Sequence, residues 1–422
     1  MPQSFDRFAA PEAASGEPDV GIRSASVSTL AAVLVAFAPV HAVAQEAQAN
    51  QGVQDRPRPD YDPLGRRIGG FTLQAGVNLF AGTNDNVFAT ETNEQDDMEF
   101  SVNPYGSLDS NWSRHALSFS AGANFNRFQD FDSENTESSY IGTYGRLDVG
   151  RDSNVSASLR LANETEPRTA PDAGGLAEPV EYQRREAQIG AEHTINRFRL
   201  SGVIGTNDTD YDGLGQSFRD RTENYVGGRV AVAVSPRLQV LGDVRFDERE
   251  YDSAPALNSD GRTIAAGVRM NLTGLLSGEV TVGQFEREYL NDKVDGVAFA
   301  GNVQWFATPI TTVTLRGRRD VEETGASGAA TYIASDMGVR VDHELRRNII
   351  LSGGIGRIQR EYEAPTDRED EATYADIGVE YLLNRRVALE TRYDRFDNSS
   401  DGLDRDRDFE VNRFTVGVKI RL

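Results

Sequence analysis

From Phe71 to Leu422 the chain repeats one pattern, segments of about ten residues in which apolar and polar positions alternate, the period of a β-strand with two unlike faces. The last segment shows it best. Phe414, Val416, Val418, Ile420 and Leu422 fall on one face, and Thr415, Gly417, Lys419 and Arg421 on the other. In the same way Ile264, Ala266, Val268, Met270 and Leu272 oppose Arg269 and Asn271. Ala375, Ile377, Val379, Tyr381 and Leu383 oppose Asp376 and Glu380, while Leu238, Val240, Gly242, Val244 and Phe246 oppose Gln239, Asp243 and Arg245. The pattern predicts about 18 strands, or about 16 if its two weakest segments drop out. Those are Met98–Asp109, which contains Pro104, and Tyr182–His193.

The connections alternate as well. Ser235-Pro236-Arg237, Ala307-Thr308-Pro309 and Asn384-Arg385-Arg386 are short, whereas Asn84–Asp97, Asn163–Val180, Asp210–Arg221, Asp252–Gly261 and Asp397–Asp408 are long. Turns sorted by length onto two ends are the mark of an all-β transmembrane antiparallel barrel, with short periplasmic turns and long extracellular loops.

Ahead of the strands, the apolar run Val27–Phe37 follows Arg23 and leads to Ala42-Val43-Ala44, an A-x-A site. That run is too short to span a bilayer as a helix and has the length of a signal-peptide core. Residues 1–44 are therefore expected to be a signal peptide and 45–70 a periplasmic N-terminal tail, aperiodic and carrying Pro57, Pro59 and Pro63, with the barrel over 71–422.

Composition changes this picture little. A mean hydropathy of -0.50 suits a soluble protein, but also a barrel, where only alternate residues meet lipid. The formal charge of -22 argues against nucleic acid as a partner. The absence of cysteine excludes disulfides and thiolate metal sites.

Chemistry is sought on the polar half of each alternation. A barrel of about 16 to 18 strands encloses water. Its lining is predicted to include Arg160, Arg229, Asp243, Arg245, Arg269, Arg316, Asp336, Arg340, Asp376, Glu380, Glu390, Arg392 and Lys419. Such charges tune ion selectivity or pair with one another along a hydrated wall. Small inward residues, Gly267, Gly338, Gly378 and Gly417, are expected to leave room beside them. Phe246–Tyr251 is echoed by Phe285–Tyr289, Gln359–Tyr362 and Tyr393–Phe396, which suggests aromatics for the outer membrane interface; Trp112 and Trp305 suit the inner one. Asp208, Asp210 and Asp212 precede Gly213 as in a calcium loop, but the twelfth position is Arg219, and an acidic rim explains them as well. No other cofactor is expected beyond Ca2+ at these extracellular loops. His115, His193 and His343, the histidines after the cleavage site, form no catalytic grouping, and the chain is read as no enzyme.

Three stretches carry a resemblance. They are Arg56-Pro57-Arg58-Pro59-Asp60-Tyr61-Asp62-Pro63-Leu64-Gly65, Asn84-Asp85-Asn86-Val87-Phe88 and Asp109-Ser110-Asn111-Trp112-Ser113-Arg114-His115. Through them the chain resembles an outer-membrane β-barrel porin family of Gram-negative bacteria, some members of which are linked to exopolysaccharide secretion. Leu422 departs from the aromatic residue that usually ends such barrels. The resemblance implies a channel for solutes, with polysaccharide as one candidate. It implies as partners the outer-membrane lipid and lipopolysaccharide, the barrel assembly machinery and components of polysaccharide export. The alternative is a non-conducting barrel whose lumen is filled by loops or by the N-terminal tail.

Overall fold

The computed structural model describes residues 51–422 except 214, 273, 291 and 326–330, so the expected signal peptide lies outside the described residues. A short strand, β1 (Arg66–Ile68), precedes a closed barrel. Its strands run β2 (Phe71–Asn84), β3 (Asp97–Ser110), β4 (Ala116–Phe128), β5 (Thr136–Val149), β6 (Ser153–Thr165) and β7 (Glu181–Ile195). They continue as β8 (Phe198–Asp212), β9 (Arg221–Ser235), β10 (Leu238–Tyr251), β11 (Ser259–Leu272), β12 (Leu276–Tyr289) and β13 (Lys293–Thr308). The last six are β14 (Thr311–Glu323), β15 (Thr331–Arg346), β16 (Ile349–Tyr362), β17 (Glu369–Leu382), β18 (Val387–Asp401) and β19 (Phe409–Arg421).

Each strand pairs antiparallel with its neighbours in sequence, and β19 closes on β2 from Arg413↔Asn84 to Arg421↔Gly76, giving the 18-stranded barrel that the alternation predicts. Because β19 stops short of the end of β2, the leftover edge is taken by β1, from Arg66↔Leu73 to Ile68↔Phe71. The edge that remains beyond it is that of β1 itself, three exposed residues long, and so short an edge offers little for another chain to extend.

Both weak segments are strands. Pro104 pairs with Val77 on one side. Toward β4 the ladder has no pair at Asn103 or Pro104 but resumes in the same register, Val102↔Phe125 and Tyr105↔Gly122. A missing N–H thus costs local pairing without a slip. Several strands outrun their patterns, β6 to Thr165 and β11 from Ser259 by two or three residues. β8 reaches Asp212 and β18 reaches Asp401, so the loops expected over Asp210–Arg221 and Asp397–Asp408 shrink to 213–220 and 402–408. Cross-strand hydrogen bonds continue there after the apolar residues have ended.

The outward face carries the apolar half of the alternation. Val226, Val230, Ile264, Val339, Ile377, Val379, Val416 and Ile420 are all exposed. So much exposed aliphatic surface calls for a hydrocarbon surround, which a closed barrel can enter because its backbone groups are paired.

On the inward face aromatic rings stand directly opposite glycines: Tyr105 opposite Gly76, Tyr140 opposite Gly122, Tyr225 opposite Gly205, Phe285 opposite Gly296, Tyr374 opposite Gly356 and Phe80 opposite Gly417. A Cβ on Gly205 would lie 2.4 Å from the Tyr225 ring, and one on Gly356 would lie 2.0 Å from the Tyr374 hydroxyl. The rings therefore lie along the wall. Gly417 and Gly338 are not the open spaces expected for them. Phe80 covers the first, and the Tyr374 hydroxyl stands 2.7 Å from where a Cβ of the second would be.

Candidate functional site: a charged lumen with two occupied mouths

The charged residues expected to line the lumen all fall on the inward alternation, and most are joined across strands. Arg229 donates to Asp243 through Nε at 2.5 Å and Nη2 at 2.9 Å, and to Glu279 at 2.8 Å; Glu279 also accepts from Arg269 at 2.8 Å. Arg245 pairs with Glu223 at 2.7 Å and Arg160 with Glu164 at 3.0 Å. Arg340 and Arg392 share Asp376, at 3.3 and 3.4 Å, and Arg392 also holds Asp394 at 2.6 Å. Lys419 lies between Glu380 at 3.1 Å and Glu390 at 2.6 Å. Arg316 instead donates to the Tyr374 hydroxyl at 2.9 Å, which donates to Asp336 at 3.0 Å. Glu164, Glu223, Asp394 and Tyr374 complete these groups and were missed in the sequence. The signal was available for Asp394, two residues beyond Arg392 and so on the same face.

Residues 51–65 occupy the end of the barrel with short turns. Val53 is fully buried against Ile350, Leu382 and Ala388, with Tyr61 beside them. Its N–H donates to Thr312 Oγ1 at 2.9 Å, and Gln54 donates to Asp342 at 2.9 Å. Arg58 lies 3.4 Å from Glu344 and donates to the Val53 carbonyl, while Arg385 holds the Pro59 carbonyl at 2.6 Å. Wall residues of β14 to β18 thus grip a segment folded into two turns, at 53–55 and 59–61.

At the other end, the β6–β7 loop and the residues just after β14 fold into the mouth. Arg168 donates to both oxygens of Glu134 at 2.7 Å, and Asp172 accepts from Thr324 and Gly325 at 2.8 Å. Arg219 holds Glu166 at 2.5 Å. Burial works against the Arg219 charge, but Tyr211, Glu166 and Asp172 keep its pKa above the ordinary value. Pairing between β13 and β14 stops at Phe299↔Arg319, whereas β14 and β15 stay paired to Glu323↔Thr331. Val321 and Ile333 belong by alternation to the outer face of the hairpin, yet they are buried with the inward Phe285, Val294 and Ala298. Glu323 reaches Arg221 at 2.5 Å and Arg249 at 2.6 Å. The outer ends of β14 and β15 thus lie inside the neighbouring wall.

Two local expectations need correction. Phe246 is exposed outward, but Tyr251 lies an odd number of residues later and so faces inward, buried. Tyr362 is likewise buried, against Tyr332, and Arg368 stacks over it. The echoed aromatics therefore do not make an outer girdle, although Trp112 and Trp305 are exposed near the short turns. The Asp208-x-Asp210-x-Asp212 run is no loop. It is the end of β8, where alternate residues stand about 6.6 Å apart instead of folding round an ion. Arg185 lies 2.8 Å from both Asp208 and Asp210. Among the described residues no three His, Asp or Glu side chains are grouped to hold a metal. The histidines stay apart, His193 on Ser153 and His343 on Thr311.

A family model described as "Putative beta-barrel porin 2" matches residues 58–422. No curated protein matches the chain. Among solved structures, the chain is similar to Pseudomonas aeruginosa OccK9 (OpdG), at 13% identity and TM-score 0.47, covering 84% of this chain and 99% of that one. It is similar to a BenF-like porin from Pseudomonas fluorescens Pf-5, at 11% identity and TM-score 0.47, covering 83% and 99%. Pseudomonas aeruginosa OpdK, solved with vanillate, matches at 11% identity and TM-score 0.45, covering 83% and 99%.

Proposed function

The chain belongs to the porin family described as "Putative beta-barrel porin 2", and on that footing we propose that it is an outer-membrane channel for water-soluble solutes. The observation that carries this reading is the lumen wall, where inward arginines and carboxylates run from β5 to β19 between the two mouths. A barrel built only to fill itself would bury apolar side chains there at lower cost than ions. The short turns would face the periplasm and the long loops the exterior, with lipid and lipopolysaccharide against the apolar face. Polysaccharide remains a candidate solute through the family resemblance alone. Export should leave a mature chain starting near Gln45, which N-terminal sequencing checks; a chain that keeps Val27–Phe37 would refute it.

The tail gripped inside one mouth and the ends of β14 and β15 tucked into the other favour a second reading, a barrel that does not conduct. Planar bilayers separate the two. The intact chain is expected to give small, interrupted currents. Removal of residues 51–65 should raise single-channel conductance several-fold, because it frees the space between Thr312, Glu344 and Leu382. A folded barrel silent in both forms would favour the structural reading.

A further inference from the structure

We propose that Arg316 anchors an anion-binding subsite in the lumen and that the solutes favoured by this channel carry a carboxylate. The proposal rests on the lumen being a passage. Of the inward arginines predicted to line it, Arg160, Arg229, Arg245, Arg269, Arg340 and Arg392 each hold a carboxylate within ion-pairing distance. Arg316 has none among the described residues, and it is exposed to the lumen while the others are buried or half-buried. Charge left over on one side chain is what a passing ion meets; the paired arginines have spent theirs on neighbours.

The surroundings hold that guanidinium in place. Nη2 donates to the Tyr374 hydroxyl at 2.9 Å, and the hydroxyl spends its own proton on Asp336 at 3.0 Å. The guanidinium carbon stands 5.5 Å from the centre of the Tyr374 ring. Two glycines make the niche. A Cβ on Gly338 would lie 2.7 Å from the Tyr374 hydroxyl and 3.1 Å from Arg316 Nε, and Gly356 is filled by the same hydroxyl. Asp336 is therefore joined to Arg316 through the tyrosine hydroxyl. Opposite Arg316 on β13 stands Asn302, which is neutral. Nη1 has no partner among the described residues. A planar guanidinium held at one edge and open at the other matches a carboxylate, whose two oxygens it can take side by side. The nearby Asp336 charge disfavours a dianion more than a monoanion.

The test uses the full chain in lipid nanodiscs, with saturation-transfer NMR on sodium glucuronate and on glucose, which share a ring and differ in the carboxylate. Glucuronate should receive saturation and glucose should not. Arg316→Gln should weaken glucuronate binding by about tenfold or more. Arg316→Lys, which keeps the charge without the fork, should weaken it less, as should Tyr374→Phe, which leaves the ring and removes the hydroxyl. Arg392→Gln should leave it unchanged. Equal binding by wild type and Arg316→Gln, equal loss in Arg392→Gln, or equal transfer to glucose would overturn the subsite. Because this readout needs no current, a silent barrel that still binds glucuronate through Arg316 refutes the channel and spares the subsite, while a conducting barrel without such binding does the reverse.

Discussion

Val268→Arg and Val416→Arg are expected to destabilise the folded barrel by about 2–4 kcal/mol each, and Thr415→Arg by much less. Val416 pairs with Ala81 and Thr391 and points outward, exposed, in the apolar band. Val268 lies between Val240 and Val280, on strands whose neighbouring outward residues are also aliphatic. An arginine at either position must leave water for hydrocarbon or drag headgroups inward. Thr415 is one residue away but on the other face, between Gly82 and Arg392. There a guanidinium stays hydrated beside Arg392, whose like charge lumen water screens. Urea titration of barrels folded into vesicles, followed by the heat-dependent gel shift, measures all three. Equal midpoints would mean that the faces are assigned wrongly.

The second large effect is expected at Arg229. Arg229→Met should cost about 3–5 kcal/mol, since it strands carboxylates that are themselves nearly buried. Asp243 is 6% exposed and loses both of its hydrogen bonds from Arg229, while Glu279 keeps only Arg269. The penalty comes from the unpaired acids and not from the missing side chain. Adding Asp243→Leu to Arg229→Met should therefore restore much of the loss, a coupling that a double-mutant cycle reads directly. Additive losses would show that the pair contributes packing and little electrostatics.

Strands and their facing were legible because lipid on one side and water on the other impose a strict two-residue period, as in Phe414 to Leu422. The same period placed Arg316 and Arg340 on the inner wall. Three things were not legible. The burial of Tyr251 was obscured by grouping it with Phe246, although an odd spacing puts them on opposite faces. The entry of Val53 and Arg58 into the lumen depends on contacts with β14 to β18, hundreds of residues away in the chain, and an aperiodic proline-rich segment reveals no destination. The tucked hairpin breaks the facing rule itself. Val321 and Ile333 read as lipid-facing and are buried against Phe285. An alternation reports which residues share a face, but not what that face touches once the strand bends away from its neighbour.

The glycines opposite the inward rings have a meaning for assembly. Antiparallel strands of similar length and pattern can mispair by two residues without exchanging their faces, so hydrophobicity alone does not detect the error. The rings do. Displaced by two positions, Tyr105 would meet Gln74 or Asn78 instead of Gly76, Tyr140 would meet Ser120 or Asn124, Tyr225 would meet Val203 or Asn207, and Phe80 would meet Thr415 or Lys419. Each of those residues has a Cβ where the ring must lie. The joints therefore mark the register at six of the eighteen strand pairs, spaced around the circumference and including the β19–β2 pair that closes the barrel.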